Sequence, residues 1–361
     1  MEKKKILYII DKMKPAGAQT HLAEVISGLS KKNFEAKLVT LEGLGVKRIY
    51  GFSGLRGLFR LVRLMRQEKF DIVQTYLFSE NILGVIAAKL SGIKVVITGR
   101  RDTGMLCQGG WPHILAYRVT NCWVSKIICV SEAVRRVVLK KEQVGQDKVE
   151  VIYNGININK FEDRRSKMED RKNLKEKLGI KVEDLIVGMI ANFSWIKGHK
   201  VLLEAAPEII EAIPNVKFIL IGDGELFESC KLQAAGCRLK DKILFLGKRT
   251  DVPELLSIMD VSLNLSYSEG MSNTILESMA AGLPVVATAV DGNPETVNSE
   301  TGILIPAGDP RAASKAIVSL LKDEVLRKRL GGRAKEVAQE KFDSKIMIRK
   351  MEELYEELLK K

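Results

Sequence analysis

Short apolar segments of strand character alternate with helical segments along almost the whole chain. The predicted strands of the first half are Lys5–Ile10, Glu35–Leu41, Asp71–Gln74, Val95–Thr98, Lys126–Val130 and Val149–Ile152. Helical periodicity fills the intervals, as in Gln19–Lys31, Gly57–Glu68 and Asn81–Leu90. Strands separated by helices predict βαβ units, in which helices cover both faces of a parallel sheet.

The alternation resumes after a polar segment, residues 157–183, and runs from Leu185–Ile190 to Gly302–Ile305. A chain of 361 residues is long enough for two domains. We therefore predict an α/β protein of two Rossmann-like domains, residues 1–160 and 161–344. The charged helix at 345–361 is expected to return to the first domain.

The loop after the first strand argues against a dinucleotide-dependent dehydrogenase. Such enzymes carry GxGxxG at this point, followed by an acidic residue about 20 positions later. Here the loop contains Pro15-Ala16-Gly17-Ala18-Gln19, with one glycine. Hydride transfer is therefore not the predicted chemistry.

A strand-to-helix turn in the second half has the features of a phosphate site. Ser272 is a good N-cap for a helix, and Gly270 leaves room for phosphates to approach the backbone. A helix start supplies N–H groups and a positive dipole end. Glu277, inside the helix, can accept hydrogen bonds from a ribose diol, and Glu269 lies where a sugar hydroxyl is expected. An ordinary turn with a capping glycine is the alternative.

The wider segment from Asp260 to Asn293 closely resembles glycosyltransferase family 4, the retaining GT-B enzymes. Its two glutamates are followed by Ala280-Ala281-Gly282-Leu283-Pro284. Further segments resemble the same family in the same order along nearly the whole chain: Cys129–Val134, Val151–Ile156, Phe193–Gly198 and Ile219–Gly224. The resemblance implies a GT-B fold with two domains facing a cleft, and transfer of a sugar from a nucleotide-diphosphate sugar.

The resemblance also assigns roles to residues. Glu277 would bind the donor ribose, Glu269 the transferred sugar, and Lys197 the diphosphate. Other donor-binding positions that match the family are Gly17, Gly198, Gly270, Met271, Ser272 and Asn273. Catalysis would rest on Glu269 and Lys197, with the leaving diphosphate assisting on the same face of the sugar. Neither a carboxylate pair at glycosidase spacing nor a metal cofactor is expected.

Two positions depart from the family. Asn192 stands where most members carry a phosphate-binding arginine, and it is retained as a candidate donor-binding residue. The missing charge would come from Arg249 or from a first-domain arginine. The first-domain histidine of many members is also missing. In its place the chain has Thr98-Gly99-Arg100-Arg101-Asp102. Arg101, or its neighbour Arg100, is a candidate to contact acceptor or phosphate, and Asp102 to orient the acceptor hydroxyl; a surface loop with a local ion pair is the alternative.

All of the excess positive charge lies in the first half. Residues 1–150 contain 26 lysines and arginines against 13 acidic residues, whereas the remainder is balanced. Residues 55–70 predict a helix with Arg56, Arg60 and Arg63 on one face. This face is a candidate contact for an anionic membrane surface, although a Rossmann helix with solvated arginines has the same pattern.

We expect a cytoplasmic enzyme at the inner face of the membrane, because the N-terminus resembles no signal peptide. Nucleic-acid binding is not expected, since no aromatic–basic reading motif is present. The predicted function is transfer of a sugar to a saccharide or lipid-linked acceptor, in cell-surface polysaccharide or glycolipid synthesis. A GT-B nucleotide-sugar epimerase and a non-catalytic sugar-nucleotide-binding protein are the alternatives.

Overall fold

The apolar runs form two parallel sheets in a computed structural model of the chain, which describes residues 3–13, 17–104, 110–161, 164, 167–236, 239 and 241–361. Most strands are buried on both faces, as in Ile72–Thr75 and Val285–Thr288. Covered parallel strands need such continuous apolar runs, because helices pack on both faces. The predicted α/β class with two Rossmann-like sheets is confirmed.

The elements of the first half are β1 (Lys4–Ile10), α1 (Gly17–Gly28), β2 (Phe34–Thr40), α2 (Phe52–Glu68), β3 (Ile72–Thr75), α3 (Phe78–Ser91), β4 (Val95–Arg100), α4 (Gly110–Thr120), β5 (Lys126–Cys129), α5 (Glu132–Glu142) and β6 (Val149–Val151). The second half comprises α6 (Met168–Lys177), β7 (Leu185–Ile190), α7 (His199–Ala212), β8 (Val216–Ile221), α8 (Phe227–Gly236), β9 (Ile243–Gly247), α9 (Val252–Ile258), β10 (Val261–Asn264), α10 (Asn273–Ala280), β11 (Val285–Thr288), β12 (Gly302–Ile305), α11 (Pro310–Lys322), α12 (Glu324–Lys341) and α13 (Ser344–Lys360).

The first compact unit comprises Met1–Gly155 together with Ser344–Lys361. Its sheet has the order β2-β1-β3-β4-β5-β6. Helix α13 packs against α1, and the buried hydroxyl of Tyr355 lies 3.0 Å from that of Tyr8 on β1. The apolar face of the last helix therefore completes the core of the first unit.

The second compact unit is Ile156–Asp343. Its sheet has the order β12-β11-β10-β7-β8-β9, the arrangement of a Rossmann fold. Its core joins β7, β8 and β10 to helices α7 and α11. The predicted polar segment at 157–183 contains the short helix α6; Glu162, Asp163, Arg165 and Ser166 within it lie outside the described residues.

Helix α2 starts five residues earlier than the predicted Gly57, because Gly51 at φ 87° turns the chain into it. Leu61 and Met65 are buried, whereas Arg56, Arg60 and Arg63 are exposed. The predicted separation of apolar and basic faces is therefore present. Among the described residues, no helix combines the length and apolar character that crossing a bilayer requires.

Candidate active site

Two neighbouring strands of the second sheet send their loops in opposite directions. β7 and β10 are adjacent, but the chain leaves β7 toward β8 and leaves β10 toward β11 on the other side. Open α/β sheets bind ligands in the crevice between such diverging loops, beyond the carboxyl ends of the strands. The predicted donor residues at 192–198 and 269–273 follow β7 and β10, so they lie at this switch point.

Gly198 allows the two loops to touch. It has a φ of 74°, and a Cβ atom built on it would lie 2.0 Å from the carbonyl oxygen of Leu265. Only glycine permits this approach. The backbone N–H of Tyr267 donates to the carbonyl of Ile196 at 2.7 Å, which joins the loops a second time. Lys197 lies between these contacts and is held against the loop that carries Glu269.

The carboxylate of Glu269 is held through one of its two oxygens. Oε1 accepts hydrogen bonds from Lys197 Nζ at 2.5 Å, Ser266 Oγ at 3.0 Å and Asn264 Nδ2 at 3.4 Å. No described residue donates a hydrogen bond to Oε2. Because the Glu269 side chain is only 13% exposed, the charge of Lys197 offsets much of the cost of burying the carboxylate. The arrangement leaves Oε2 able to accept a hydrogen bond from a sugar hydroxyl.

Asp291 positions the backbone of Glu269 from the loop after β11. Its carboxylate accepts hydrogen bonds from the N–H of Glu269 at 3.0 Å and from the hydroxyl of Ser268. The φ of Asp291 is 42°, in the left-handed region that strains most side chains. Asp291 is not among the predicted site residues. The dipeptide Asp291-Gly292, a common turn signal, is the only local hint in the sequence.

Helix α10 begins beside this carboxylate. Ser272 is its N-cap, as predicted, and its hydroxyl accepts a hydrogen bond from the N–H of Ile275. Gly270 and Met271 are buried immediately before the cap, and Asn273 is the first helical residue. The first N–H groups of a helix have no partner within it and attract anions. The helix start and Lys197 therefore provide positive charge next to Glu269.

Glu277 lies further along α10 and is partly buried. Among the described residues, none forms a hydrogen bond or ion pair with its carboxylate. Burial raises the pKa of Glu277 to about 7, and the nearby charge of Lys160 limits the increase. A partly buried carboxylate without a partner is costly until a ligand donates hydrogen bonds to it. Glu277 is therefore suited to bind a diol.

Asn192 and Arg249, the two second-unit candidates for a further phosphate contact, lie in different places and have different partners. Asn192 is exposed on the loop after β7. Arg249 follows the edge strand β9, two strands away from β7, and its guanidinium binds both oxygens of Asp251 at 2.8 and 2.6 Å. Asp251 thus already compensates the charge of Arg249. A direct role for either residue in phosphate binding stays a prediction.

The two first-domain arginines have different surroundings. Arg100 is buried, forms a bidentate ion pair with Glu142 and lies 3.7 Å above the ring centroid of Tyr117. Glu142 neutralises the charge of Arg100 within the first unit, so Arg100 is not a candidate to contact the acceptor. Arg101 donates to the neutral Asn154 Oδ1 at 2.9 Å and forms no ion pair among the described residues.

The other first-domain candidates lie at the carboxyl edge of the same sheet. Asp102 accepts a hydrogen bond from the N–H of Gly104 at 2.6 Å, which shapes the loop after β4. Gly17 begins α1, and a Cβ atom added to it would meet nothing within 4 Å. The adjacent Pro15 and Ala16 lie outside the described residues. The roles predicted for Asp102 and Gly17 stay predictions.

The fold and the site can be compared with known proteins. Residues 170–337 match the family described as glycosyl transferases group 1, and residues 15–160 match glycosyltransferase family 4. The structure of HepE from Anabaena in complex with UDP-glucose aligns with a TM-score of 0.85 at 23% identity, covering 98% of this chain and 99% of that chain. The two matched regions correspond to the two sheets.

Two curated relatives are similar over most of their length. The chain is 33% identical over 287 residues to UDP-Gal:alpha-D-GlcNAc-diphosphoundecaprenol alpha-1,3-galactosyltransferase of Escherichia coli, covering 75% of this chain and 72% of the relative. It is 27% identical over 307 residues to N-acetyl-alpha-D-glucosaminyl L-malate synthase of Bacillus anthracis, covering 83% and 78%.

These similarities, together with the two sheets, define a glycosyltransferase of GT-B fold. The chain belongs to the group 1 glycosyl transferases, glycosyltransferase family 4. It is therefore a retaining enzyme that moves a sugar from a nucleotide-diphosphate sugar to a saccharide or lipid-linked acceptor, as predicted. Membership favours transfer over the epimerase and the non-catalytic binding protein.

His199, the first residue of α7, is a buried polar group beside the site. Its ring stacks on Phe193, with centroids 4.0 Å apart, and neither ring nitrogen has a hydrogen-bond partner among the described residues. Burial, with a smaller effect of Lys197, lowers the pKa of His199 to about 4. In the unfolded chain the imidazole titrates near its ordinary value of 6.5.

This difference predicts acid destabilisation. As the pH falls from 6.5 toward 4, the unfolded chain binds a proton at His199 that the folded chain does not, so the free energy of unfolding falls by up to about 3 kcal/mol. His199→Phe removes that contribution and keeps the stacked ring. Urea unfolding at several pH values should show a smaller loss of stability in the variant than in the parent. Equal losses would contradict the assignment.

Proposed function

We propose that the donor is a uridine diphosphate sugar and that the acceptor is a saccharide linked through a diphosphate to a membrane lipid. The Lys197–Glu269 pair at the switch point supports a sugar diphosphate as the donor. It places a cation, which can bind the diphosphate, beside a carboxylate oxygen that can accept a hydrogen bond from the sugar. The name of one relative supports the uridine and the lipid-linked acceptor: the Escherichia coli enzyme is named for UDP-Gal and alpha-D-GlcNAc-diphosphoundecaprenol.

In the proposed reaction, the bond between the anomeric carbon and the β-phosphate oxygen breaks as the acceptor oxygen bonds to the same face of that carbon. The acceptor proton passes to the departing diphosphate. Lys197 has three N–H donors and can contact both Glu269 and the phosphates. Together with the start of α10, it would stabilise the developing negative charge without a metal ion. Glu269 Oε2 would hold the sugar, and Glu277 the ribose.

The donor proposal is tested with a panel of UDP-, GDP- and ADP-sugars, with and without lipid-diphosphate-linked saccharide. UDP release that requires the acceptor is expected. Glu277→Ala should weaken UDP binding about tenfold or more, because it removes hydrogen bonds to a charged group. The affinity of the parent should also fall between pH 8 and pH 6, as Glu277 is protonated, and this dependence should be weaker in Glu277→Gln.

Titration calorimetry with UDP separates the possible outcomes. Unchanged UDP affinity in Glu277→Ala would contradict the ribose assignment. Turnover with GDP- or ADP-sugars alone would contradict the uridine donor. Addition of EDTA should leave turnover unchanged, and its loss would contradict metal-independent transfer.

We also propose that α2 contacts an anionic membrane surface. Beside its three exposed arginines lie Phe52 and Phe59, which are 79% and 67% exposed. Exposed aromatic rings next to arginines are typical of helices that lie in the headgroup region of a bilayer. The excess positive charge of the first half supports the same orientation, because anionic lipid attracts basic segments.

This contact predicts that Arg56→Glu, Arg60→Glu and Arg63→Glu together abolish sedimentation with liposomes that contain anionic lipid. The matched control changes three exposed basic residues of the second unit: Lys315→Glu, Lys328→Glu and Arg329→Glu. The control alters net charge equally and should retain binding. Equal losses in both triple variants would indicate a general charge effect and contradict a specific role for α2.

A further inference from the structure

A cavity of about 150 Å³ lies in the first unit, at the carboxyl end of β4. Its lining comes from residues 99–104, at and just after the end of β4, and from helices α3, α4 and α5. The carboxyl edge of a parallel sheet is where α/β units bind ligands. No function assigned above to the α10 site or to α2 uses this cavity.

The lining of the cavity is partly cationic. Arg101 and Lys141 both line it, and neither forms an ion pair with any described residue. The Lys141 ammonium lies beside the loop, 3.9 Å from where a Cβ of Gly104 would be. Asp102 also lines the cavity, while the charges of Arg100 and Glu142 cancel each other. Two unpaired cations against one carboxylate favour an anionic ligand.

The remaining wall is mostly apolar and aromatic. Phe78, Ile114 and Val138 line it, together with the ring of His113, whose centroid is 4.0 Å from that of Phe78. His113 Nδ1 is buried and has no hydrogen-bond partner in the described part of the chain. The cavity lining is therefore amphipathic: it combines two cations, apolar side chains and an unused imidazole nitrogen.

The outer face of α4 exposes large apolar side chains as well, beside the exposed Arg118. Trp111, Leu115 and Val119, spaced four residues apart, are 74%, 50% and 52% exposed. Trp111 and Leu115 flank His113 and Ile114 in the sequence, so the helix that lines the cavity also presents an apolar stripe to the surroundings. Tryptophan at such a position is typical of a membrane–water interface. A ligand with an apolar chain fits both faces of this helix.

We infer that this cavity binds the diphosphate and the first isoprenoid unit of a polyprenyl diphosphate-linked acceptor. The inference rests on the proposed function, which supplies the lipid-linked acceptor, and adds the site that holds it. Arg101 and Lys141 contact the diphosphate, and His113 donates a hydrogen bond to it. Phe78, Ile114 and Val138 surround the start of the chain, which continues along the apolar stripe of α4.

The test uses farnesyl diphosphate below its micelle concentration, the chain of residues 1–361 and saturating UDP, so that the donor site is already filled. Calorimetry should detect binding of farnesyl diphosphate, with farnesol and inorganic pyrophosphate each binding at least about tenfold more weakly. Lys141→Ala should weaken binding about tenfold, because a charge-assisted hydrogen bond is lost. Ile114→Trp, which fills the cavity, should abolish binding.

Lys140→Ala is the matched control, because Lys140 is an exposed neighbour on α5 that does not line the cavity. It should bind like the parent. Equal affinity of Lys141→Ala and Lys140→Ala would overturn the inference, as would farnesyl diphosphate that only displaces UDP. Lys141 is exposed, so its variant is expected to fold even if Ile114→Trp does not. A protein that fails to bind UDP would instead contradict the proposed donor, which keeps the two failures distinct.

Discussion

The ion pair between Lys197 and Glu269 joins the two loops on which the donor site depends. Each residue follows one of two adjacent strands whose chains then diverge, so the pair lies in the crevice that the sheet order creates. A lysine there without the carboxylate would have no fixed position, and the buried carboxylate without the lysine would be strongly disfavoured. The glycine at 198 and the backbone bond to Tyr267 keep the two close.

Each unit uses charge in a different way. The site on the second unit places Lys197 and Glu269 beside the start of α10. Residues 151–361, which contain this site, have equal numbers of basic and acidic residues. The first unit carries an excess of basic residues, its helices α2 and α4 expose several large apolar side chains, and its cavity is lined by two cations that form no ion pair with any described residue. This distribution suits a protein that binds a small nucleotide in one unit and an anionic lipid in the other.

Much of the fold follows from local sequence. Leu185–Ile190 and Gly302–Ile305 have the predicted bounds, because apolar runs are a local property of the sequence. The N-cap at Ser272 was predictable for the same reason. Pairings across long sequence distances were not. Arg100 and Glu142 are 42 residues apart, and Asp291 accepts a hydrogen bond from the N–H of Glu269, 22 residues earlier. A local sequence pattern cannot predict contacts at such separations.

The most direct test of this account is the kinetics of Glu269→Gln in acceptor-dependent UDP release. The variant keeps the shape of the side chain but removes the charge that pairs with Lys197 and accepts from the sugar. Turnover should fall by about a hundredfold or more, the scale typical for a lost group that stabilises the transition state, while UDP affinity changes only a few-fold. Unchanged turnover, or an equal loss of UDP affinity, would contradict the role assigned to Glu269.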